Sequence, residues 1–409
     1  MKKERVNSWG NIFNKNVMIA DRIESGKNYL SVGNQNSYGD ASIPKGKYIL
    51  NHYESKNVST SVFDYQTDNM LLLFGVPGKS NVTIGGAIAA DTHGKDNHWG
   101  GSFSKNVKKI KLATKKGCIV ADRENNFDVF QTTVGGYGLT GSIVDVELYE
   151  NNLQITNIYD TEITTGIGMG GLLSDCNTKF GEYWVGWLNL LGKELQWVSK
   201  KSKPIFNKTI KFVEKKGNSF PFNIHLVGTN QLNSLNIINN MYYLKNKNSD
   251  NKKLNYYETF YPLSYLTDTR NISAQRKIVQ VQFSIPEKNE KFLEKIIYKL
   301  INKQHPLLCS IKKLSEKENF DNLSFHQKGW TVAIDFPYKN FNLEEIQKFY
   351  SELSKYEGKI YLAKDSTLNS LNFRKMYPNF EKWSMIVKEL DPNNIFQSSQ
   401  SVRLGLKNW

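Results

Sequence analysis

Three glycine-rich segments in the first third of the chain have the composition of loops that bind a diphosphate. The segments are Gly33–Asp40, Val82–Lys95 and Thr133–Gly141. Glycine lets several backbone N–H groups converge on one anion, because no side chain blocks the approach. Each segment alone is an ordinary turn, but 21 of the 29 glycines precede Leu172. Their joint occurrence predicts a site for a ligand that carries a diphosphate.

Two stretches match G-x-G-x-x-G, the pattern of dinucleotide-binding Rossmann folds. They are Gly136–Gly141 and Gly166–Gly171. That fingerprint needs a strand before it and a helix after it. The first match runs directly into the alternating strand Ile143–Tyr149, and the second is followed by no clear apolar helical face. A Rossmann site is therefore not expected.

Two titratable residues could carry proton chemistry if the fold brings them to the bound ligand. His93 lies in the second loop, and Lys364 lies in the sequence Tyr-Leu-Ala-Lys-Asp. A lysine desolvated against a bound group can act as a base or can stabilise an anion. A histidine can orient such a group or relay a proton. The ordinary alternatives are a solvated surface lysine and a structural histidine, and only the surrounding motifs favour function.

The elements that must position these residues predict an α+β fold with more than one domain. A chain of 409 residues exceeds the roughly 250–300 residues that one core supports. Short β-type runs at Val82–Ile84, Val107–Ala113 and Ile143–Tyr149 alternate with glycine clusters. Further along, a helical pattern at Glu290–Asn302 lies between alternating strands. These strands, Ile278–Ile285 and Thr331–Phe336, predict an antiparallel sheet covered on one face.

The charge is strongly positive, at +15, and lysine dominates it. Seven arginines among the 54 basic residues leave 47 lysines, and arginine is the residue preferred for reading bases and phosphates. We therefore expect no nucleic-acid partner; an anionic lipid surface or a plain lysine-rich bias remain open. The polar stretch Lys245–Lys253 predicts a mobile loop, and with Lys200–Lys216 it could meet an anionic bilayer.

Cysteine use and hydropathy give two further expectations. Cys118, Cys176 and Cys309 are scattered without C-x-x-C spacing, which indicates free thiols and no metal site. The chain has no visible secretory signal and no apolar run near the roughly 20 residues of a membrane span. We therefore expect a cytoplasmic protein, with at most peripheral contact at the inner face of the membrane.

Taken together, these segments resemble the FAD-linked oxidases of the vanillyl-alcohol oxidase superfamily, and most closely its decaprenylphosphoryl-β-D-ribose oxidase branch. The resemblance covers nearly the whole chain. Its marks are Ser8–Gly10, Ser37–Asp40, Val82–Phe103, Thr133–Gly141, Gln280–Phe283, Asp335–Pro337, Tyr361–Asp365, Met376–Pro378 and Asp391–Pro392 before Phe396. It implies a two-domain flavoprotein in which an FAD-binding domain of two α+β subdomains (1–152, with a C-terminal return at 358–409) carries an inserted substrate domain (153–357) built on an antiparallel sheet.

The resemblance also implies site residues, with His93 and Lys364 as the catalytic pair. The implied FAD contacts are Ser31, Gly33, Asn36, Ser37, Tyr38, Gly39, Asp40, Gly78, Thr83, Ile84, Gly85, Gly86, His93, Gly94, Lys95, Asp96, Gly141, Ile143 and Tyr361. The implied substrate wall consists of Trp187, Gln280, Gln282, Lys313, Thr331 and Ala333. Asn36 stands where covalent members carry histidine, so the resemblance implies non-covalent FAD.

The activity implied is oxidation of a secondary hydroxyl of a sugar to a ketone, with a polyprenyl-phosphate-linked pentose as substrate. It would be the first half of an epimerisation in cell-envelope polysaccharide synthesis, with a short-chain reductase as partner. One alternative is a soluble aldonolactone or alditol oxidase that uses oxygen. Another, of a different class, is a truncated, non-catalytic lysine-rich module that binds anionic lipid or polysaccharide.

Departures from the branch pattern mark where its properties do not transfer. The segment between Asp40 and Pro77 is short, which predicts weaker cofactor binding. Lys79 replaces a threonine, and Gln35 and Asn36 replace a glycine and an arginine. In the substrate wall, Thr331 and Ala333 replace an asparagine and a cysteine, so the sugar itself is left open.

Overall fold

The computed structural model describes residues 2–407 except 25, 51–54, 150–153, 191–193, 207–230, 248, 262–276, 303, 305, 317, 319 and 321. These residues form an α+β fold, as the sequence predicts. The strands are β1 (Lys3–Asn7), β2 (Asn14–Ala20), β3 (Tyr48–Leu50), β4 (Val107–Thr114), β5 (Gly117–Asp122), β6 (Ser142–Leu148), β7 (Ile158–Ile167), β8 (Tyr183–Asn189), β9 (Gln196–Ile205), β10 (Lys252–Asn255), β11 (Ile278–Pro286), β12 (Leu308–Leu314), β13 (Gly329–Pro337) and β14 (Lys359–Ile360).

The helices of the described residues range in length from four to 17 residues. They are α1 (Lys56–Ser59), α2 (Val62–Asn69), α3 (Ile84–Ala89), α4 (Asn97–Gly100), α5 (Phe127–Thr133), α6 (Met169–Asp175), α7 (Gln231–Lys247), α8 (Tyr256–Phe260), α9 (Leu293–Ile301), α10 (Leu343–Lys355), α11 (Ser370–Met376), α12 (Phe380–Leu390) and α13 (Ser399–Leu404). None of the helices in the described part of the chain is long and apolar enough to span a membrane.

The largest sheet has eight antiparallel strands in the order β10-β7-β9-β8-β12-β13-β11-β14. The two strands predicted from alternation are confirmed as β11 and β13, which pair with Gln282 opposite Ala333. Residues opposite each other on antiparallel strands share a face of the sheet. One face of the sheet therefore carries Gln280 and Gln282 of β11, Ser310 and Lys312 of β12, and Thr331, Ala333 and Asp335 of β13.

Helices α9 and α10 cover the other face of this sheet. The predicted helix at Glu290–Asn302 is confirmed in its second part, where Leu293, Ile296, Ile297 and Leu300 are buried at helical spacing. A 3₁₀ turn, Glu287–Phe292, precedes it. Across the interface the ring of Phe283 packs on that of Phe349, with 5.8 Å between centroids. The apolar layer between the sheet and these two helices thus supports the polar face on the opposite side of the sheet.

In the N-terminal part, the predicted strands at Val107–Ala113 and Ile143–Tyr149 are confirmed as β4 and β6, which pair with each other. The predicted β-type run at Val82–Ile84 is reduced to a single β-bridge between Thr83 and Ser61. Helix α3 begins at Ile84 because the hydroxyl of Thr83 accepts a hydrogen bond from the N–H of Gly86, at 3.1 Å. The second glycine-rich loop therefore turns into a helix where the sequence suggested a strand.

The predicted mobile loop at Lys245–Lys253 is wrong at its two ends, whereas residues 249–251 between them belong to no helix or strand. Helix α7 continues to Lys247, and β10 begins at Lys252. Aromatic contacts outweigh the polar composition here, since Tyr242 packs on Trp187 with 4.9 Å between ring centroids. Of the stretch 200–216, residues 200–205 belong to β9, and 207–216 lie outside the described residues.

The second G-x-G-x-x-G match does precede a helix, contrary to expectation. Strand β7 ends at Ile167 and α6 begins at Met169. A Cβ atom at Gly166 would lie 2.4 Å from the indole of Trp197, so this glycine is needed for packing. None of the four glycines in this match lines the large cavity described below. We therefore assign no phosphate-binding role to them.

The two ends of the chain meet, as the resemblance implies. The N–H of Tyr29 donates to the carbonyl of Ile395 at 2.7 Å, and the N–H of Gln397 donates to Tyr29 at 2.9 Å. Strand β14 nevertheless pairs with β11, so the segment after 357 contributes to the large sheet before it returns to the N-terminal part. The division into domains at 152 and 357 stays a prediction.

Candidate active site

A cavity of about 1380 Å³ is lined by the glycine-rich loops and by the polar face of the large sheet. This volume exceeds the roughly 300–1,000 Å³ of a typical small-molecule site, and it leaves room for a dinucleotide-sized cofactor and a substrate. Most of the predicted site residues line it. They are Ser31, Gly33, Asn36, Ser37, Tyr38, Gly78, Thr83, Gly85, Gly86, His93, Gly141, Ile143, Gln280, Gln282, Thr331, Ala333, Tyr361 and Lys364.

Three predicted FAD contacts lie behind the cavity wall and hold the first loop in place. A Cβ atom at Gly39 would lie 1.6 Å from the carbonyl oxygen of Asp365, so the two backbones are in direct contact. Asp40 is buried and accepts hydrogen bonds from Arg403. Ile84 is fully buried in the core beneath α3. Their role in the structure is packing, which explains the motif without cofactor contact.

Gly94, Lys95 and Asp96 also lie outside the cavity lining. A Cβ atom at Gly94 would lie 2.0 Å from Oδ1 of Asp96. The Asp96 carboxylate accepts from the N–H of Gly75 at 3.0 Å, and burial raises its pKa to about 7. The ammonium of Lys95 donates to the carbonyl of Thr259. These residues fix the backbone around His93.

Two predicted wall residues, Lys313 and Trp187, need correction. In β12, Lys312 pairs with Thr331 and lines the cavity. Lys313 points to the other face, where its ammonium lies 3.5 Å from Glu287. Trp187 packs on α7 and does not line the cavity. The sequence cannot distinguish two adjacent lysines, because a register shift of one residue exchanges the faces of a strand.

This strand register predicts different effects on KM for substitutions at two neighbouring lysines. Lys312→Met should raise the KM for an anionic substrate about 10-fold, because it removes the cation that faces the cavity. Lys313→Met should leave KM within about 2-fold. Steady-state kinetics of both variants check this. An effect of Lys313→Met with none of Lys312→Met would contradict the register.

A further consequence concerns Gly39. Gly39→Ala should lower the free energy of unfolding by about 3 kcal/mol and reduce the bound cofactor, because the loop must move away from Asp365. The matched control is Gly170→Ala, since a Cβ atom there meets nothing within 4 Å. Urea denaturation and the cofactor content after purification check the pair. Equal stability of the two variants would contradict this view of the loop.

The residues around the glycine loops fit a diphosphate-bearing cofactor. A Cβ atom at Gly33 would lie 2.5 Å from the Thr83 hydroxyl, so only glycine allows this approach. The amides of Asn34 and Asn36 both donate to the carbonyl of Asn81, at 2.8 and 3.3 Å. Oδ1 of Asn36 and Oδ1 of Asn81 are buried and have no hydrogen-bond partner among the described residues. Small residues and polar atoms left for a ligand thus converge at one end of the cavity.

Lys79 adds a positive charge to this end of the cavity. Its ammonium lies over the ring of Trp9, and both residues line the cavity. Lysine stands here where the branch pattern has threonine. It therefore brings a cation to the site, where the first loop has Asn36 in place of the arginine of the pattern. This charge suits a diphosphate.

The cavity wall beside Tyr38 carries Lys364, whose ammonium lies 4.1 Å from the centroid of the Tyr38 ring. Burial lowers the pKa of Lys364 to about 8; Asp335 opposes this shift and Lys312 adds to it. Gln280 donates to Asp335 at 2.6 Å, and burial raises the pKa of that carboxyl to about 6. A lysine with such a pKa is partly neutral near physiological pH and can accept a proton.

His93 sits beside this group on the cavity wall. Its Nε2 lies 2.7 Å from Nε2 of Gln282, which also donates to the hydroxyl of Thr331 at 3.1 Å. Burial lowers the pKa of His93 well below its usual value, and the nearby Lys312, His326 and Lys364 lower it further. His93 is therefore a neutral imidazole at physiological pH.

Sequence reasoning missed two of the cavity residues as members of the site. Asp335 follows Thr331 and Ala333 at intervals of two residues along β13, and Lys312 faces Thr331 from β12. Every second residue of a strand points to the same face, so counting by two from Thr331 and Ala333 reaches Asp335. This alternation is the signal in the sequence that could have identified Asp335. Lys312 required the register between strands, which no local pattern contains.

Comparisons with known proteins find a matching family model and similar proteins. Residues 323–404 match the family model described as D-arabinono-1,4-lactone oxidase. Decaprenylphosphoryl-β-D-ribose oxidase of Mycolicibacterium smegmatis is 26% identical over 416 residues, which cover 94% of this chain and 90% of that protein. An uncharacterized protein of Streptomyces coelicolor is 41% identical over 73 residues, 18% of this chain and 19% of its own.

The similarity is spread over the loops, the sheet and the C-terminal segment that together surround the cavity, and the family match includes Asp335 and Lys364. This confirms the resemblance found in the sequence and overturns the non-catalytic alternative. The chain is an FAD-linked oxidoreductase, similar to decaprenylphosphoryl-β-D-ribose oxidase and to the D-arabinono-1,4-lactone oxidase family.

Proposed function

We propose that the chain oxidises a secondary hydroxyl of a polyprenyl-phosphate-linked pentose to a ketone, with non-covalently held FAD. The observation that carries the proposal is the group formed by Lys364, Asp335, Gln282 and His93, which lines the same cavity as the cofactor loops. These residues offer a base, a carboxylate and hydrogen-bonding groups to one polyhydroxylated ligand. The similarity to an oxidase of a lipid-linked ribose supports this substrate class.

The residues at the glycine-rich end would hold FAD. Gly33, Gly85 and Gly86 leave room for the diphosphate, Lys79 supplies a positive charge, and the free amide oxygens of Asn36 and Asn81 accept from ligand donors. An asparagine at position 36 offers no nucleophile for a covalent bond, which supports non-covalent binding. Bound FAD supplies the hydride acceptor for the alcohol carbon.

The protein itself must manage the hydroxyl proton. The neutral form of Lys364 takes up this proton, and Asp335 stabilises the ammonium that forms. Gln282 and Thr331 hold the sugar through hydrogen bonds on the adjacent part of the wall. The chemistry requires that these groups be shielded from bulk water, and the half-buried position of Lys364 in the wall meets that need.

The exposed part of the cavity lining suits a phosphate with an attached lipid. Lys277 and Lys339 are exposed lysines there, and Leu307, Leu308 and Tyr338 add apolar surface beside them. The lysines would attract the phosphate, and the apolar residues would contact the first prenyl units. We include in the proposal a peripheral position at the inner membrane face and a short-chain reductase that consumes the ketone.

A second candidate is an aldonolactone or alditol oxidase that uses oxygen. The match of residues 323–404 to the lactone oxidase family favours it. Turnover of purified holoenzyme with short-chain polyprenylphosphoryl-β-D-ribose and an artificial acceptor supports the first function. Steady peroxide formation from free lactones, with no turnover of the lipid-linked sugar, would instead establish the second.

A further inference from the structure

Behind His93 lies a second group of titratable residues that the proposed mechanism does not use. Asp91, Ser324 and His326 are buried and lie outside the cavity lining. The Ser324 hydroxyl donates to Oδ2 of Asp91 at 2.7 Å and lies 2.8 Å from Nδ1 of His326. Oδ2 of Asp91 is itself 3.5 Å from the same nitrogen. If the hydroxyl donates to the carboxylate, it accepts from an N–H of His326, so all three groups are joined.

The imidazoles of His93 and His326 face each other across an apolar gap. Their ring centroids are 5.9 Å apart. Phe325 stacks on Tyr361 at 4.3 Å, and both rings contact His93. Two positive charges at this distance in a buried place repel strongly. At most one of the two imidazoles is therefore positively charged near neutral pH.

The surrounding charges decide which histidine takes that proton. His326 has the Asp91 carboxylate beside it, which favours its charged form. The charged groups that act on His93 are Lys312 on β12, Lys364 after β14, and His326 itself, and all are cationic. Gln282 on β11 is neutral, as are the flanking rings of Phe325 and Tyr361. The proton therefore belongs on His326, and His93 stays neutral.

A neutral His93 that carries its proton on Nδ1 accepts through Nε2, and this tautomer sets how Gln282 is oriented. In the structure, the amide nitrogen of Gln282 faces Nε2 of His93 and the Thr331 hydroxyl, so both N–H groups are used. Its amide oxygen is then the atom left for the cavity. A charged His93 would donate through Nε2 and would require the amide oxygen for itself, which would turn the NH₂ group toward the substrate.

We propose that His326, held by Asp91 and Ser324, carries the one positive charge of the histidine pair. His93, neutral and protonated at Nδ1, thereby accepts from Gln282 and leaves the amide oxygen of Gln282 toward the substrate hydroxyl. The three are positioning residues, since they act through His93 and Gln282. The inference about the substrate hydroxyl rests on the proposed function. The inference about the proton does not, because it concerns only groups of this chain.

The test is an NMR titration of the imidazoles in FAD-loaded protein, with His93 assigned through His93→Asn. In the wild type, His93 stays neutral to well below pH 6.5. In His326→Gln, which cannot take up the proton, the titration midpoint of His93 should rise by at least about one pH unit. The matched control is His98→Gln, because His98 is also a largely buried histidine but is not among the groups that act on His93; there the midpoint should not move.

Ser324→Ala provides a second variant if His326→Gln does not fold. It removes the bridge to Asp91, so the midpoint of His93 should also rise, by a smaller amount. An unchanged or lowered midpoint in the variant that folds would overturn the proposal. Absence of sugar oxidation in the wild type, with the expected shift present, would overturn the proposed function and the role of Gln282 but would leave the proton assignment standing.

Discussion

Replacing Lys364 by methionine should slow reduction of the bound flavin by the sugar about 10²- to 10⁴-fold while FAD stays bound. Methionine keeps the length and the apolar stem of lysine, but it cannot take up a proton. The side chain lies over Tyr38 in the cavity wall, so the loss falls on the chemical step. Stopped-flow reduction under anaerobic conditions measures this rate directly.

The pH dependence of the same rate identifies the base. Burial lowers the pKa of Lys364 to about 8, and only its neutral form accepts a proton. The wild-type rate should therefore rise as the pH increases through about 8, and this rise should be absent from Lys364→Met. The matched control is Lys313→Met, on the face of the sheet away from the cavity. A full rate in Lys364→Met, or the same pH profile in both variants, would contradict the role of Lys364.

Replacing Arg403 by leucine should lower the free energy of unfolding by about 3–5 kcal/mol, because it leaves buried carboxylates without their cation. Arg403 donates to both oxygens of Asp40, at 3.1 and 2.6 Å, and to Asp365 at 2.8 Å. Asp40 ends the first cofactor loop, and Asp365 follows Lys364. One side chain therefore joins the two walls of the site, and FAD affinity should fall together with stability.

The effect of Arg403→Leu should depend on pH in a defined direction. Burial raises the pKa of Asp40, and Arg403 works against that rise. Without the arginine, the carboxyl favours its protonated form more strongly. Such a group contributes stability at pH values below its unfolded pKa and loses it as the pH rises, so the deficit of the variant should be largest at neutral pH and should narrow toward about pH 4.

The control for this prediction is Arg374→Leu. Arg374 also lies in the C-terminal segment and donates to the carbonyl of Gly405 at 2.8 Å, but its acidic partner, Glu381, is exposed. It should cost about 1 kcal/mol or less. Urea denaturation at several pH values compares the two variants. Equal losses at neutral pH would show that Arg403 is no more than a surface contact.

Local patterns in the sequence predicted the parts of the fold in which one rule dominates. The alternation of β11 and β13, the helical spacing of α9 and the glycines of the cofactor loops are each determined by neighbouring residues. The predicted strand at Val82–Ile84 is limited to one bridge at Thr83, because the hydroxyl of Thr83 caps α3. The prediction of a mobile loop failed at Lys245–Lys247, because Tyr242 of the same helix packs on a distant strand. In both places a specific contact outweighed the composition.

The candidate site divides in the same way. Residues on the motifs, such as Gly33, His93 and Lys364, were found through the family resemblance, which rests on the local sequence around them. Lys312 was missed because the register between β12 and β13 decides which side chains of β12 lie beside Thr331 on the cavity face. His326 was missed because its partners, Asp91 and His93, are more than 200 positions away in the chain. Pairings across such separations are properties of the folded chain, and no local pattern contains them.

The central claim is that this cavity oxidises a lipid-linked sugar with FAD. Its most direct test is the visible spectrum of the purified holoenzyme, recorded anaerobically before and after addition of short-chain polyprenylphosphoryl-β-D-ribose. We expect the absorbance of oxidised flavin to disappear, with one ketone formed per flavin. Protein that contains FAD but keeps its oxidised spectrum in the presence of this sugar would contradict the proposal.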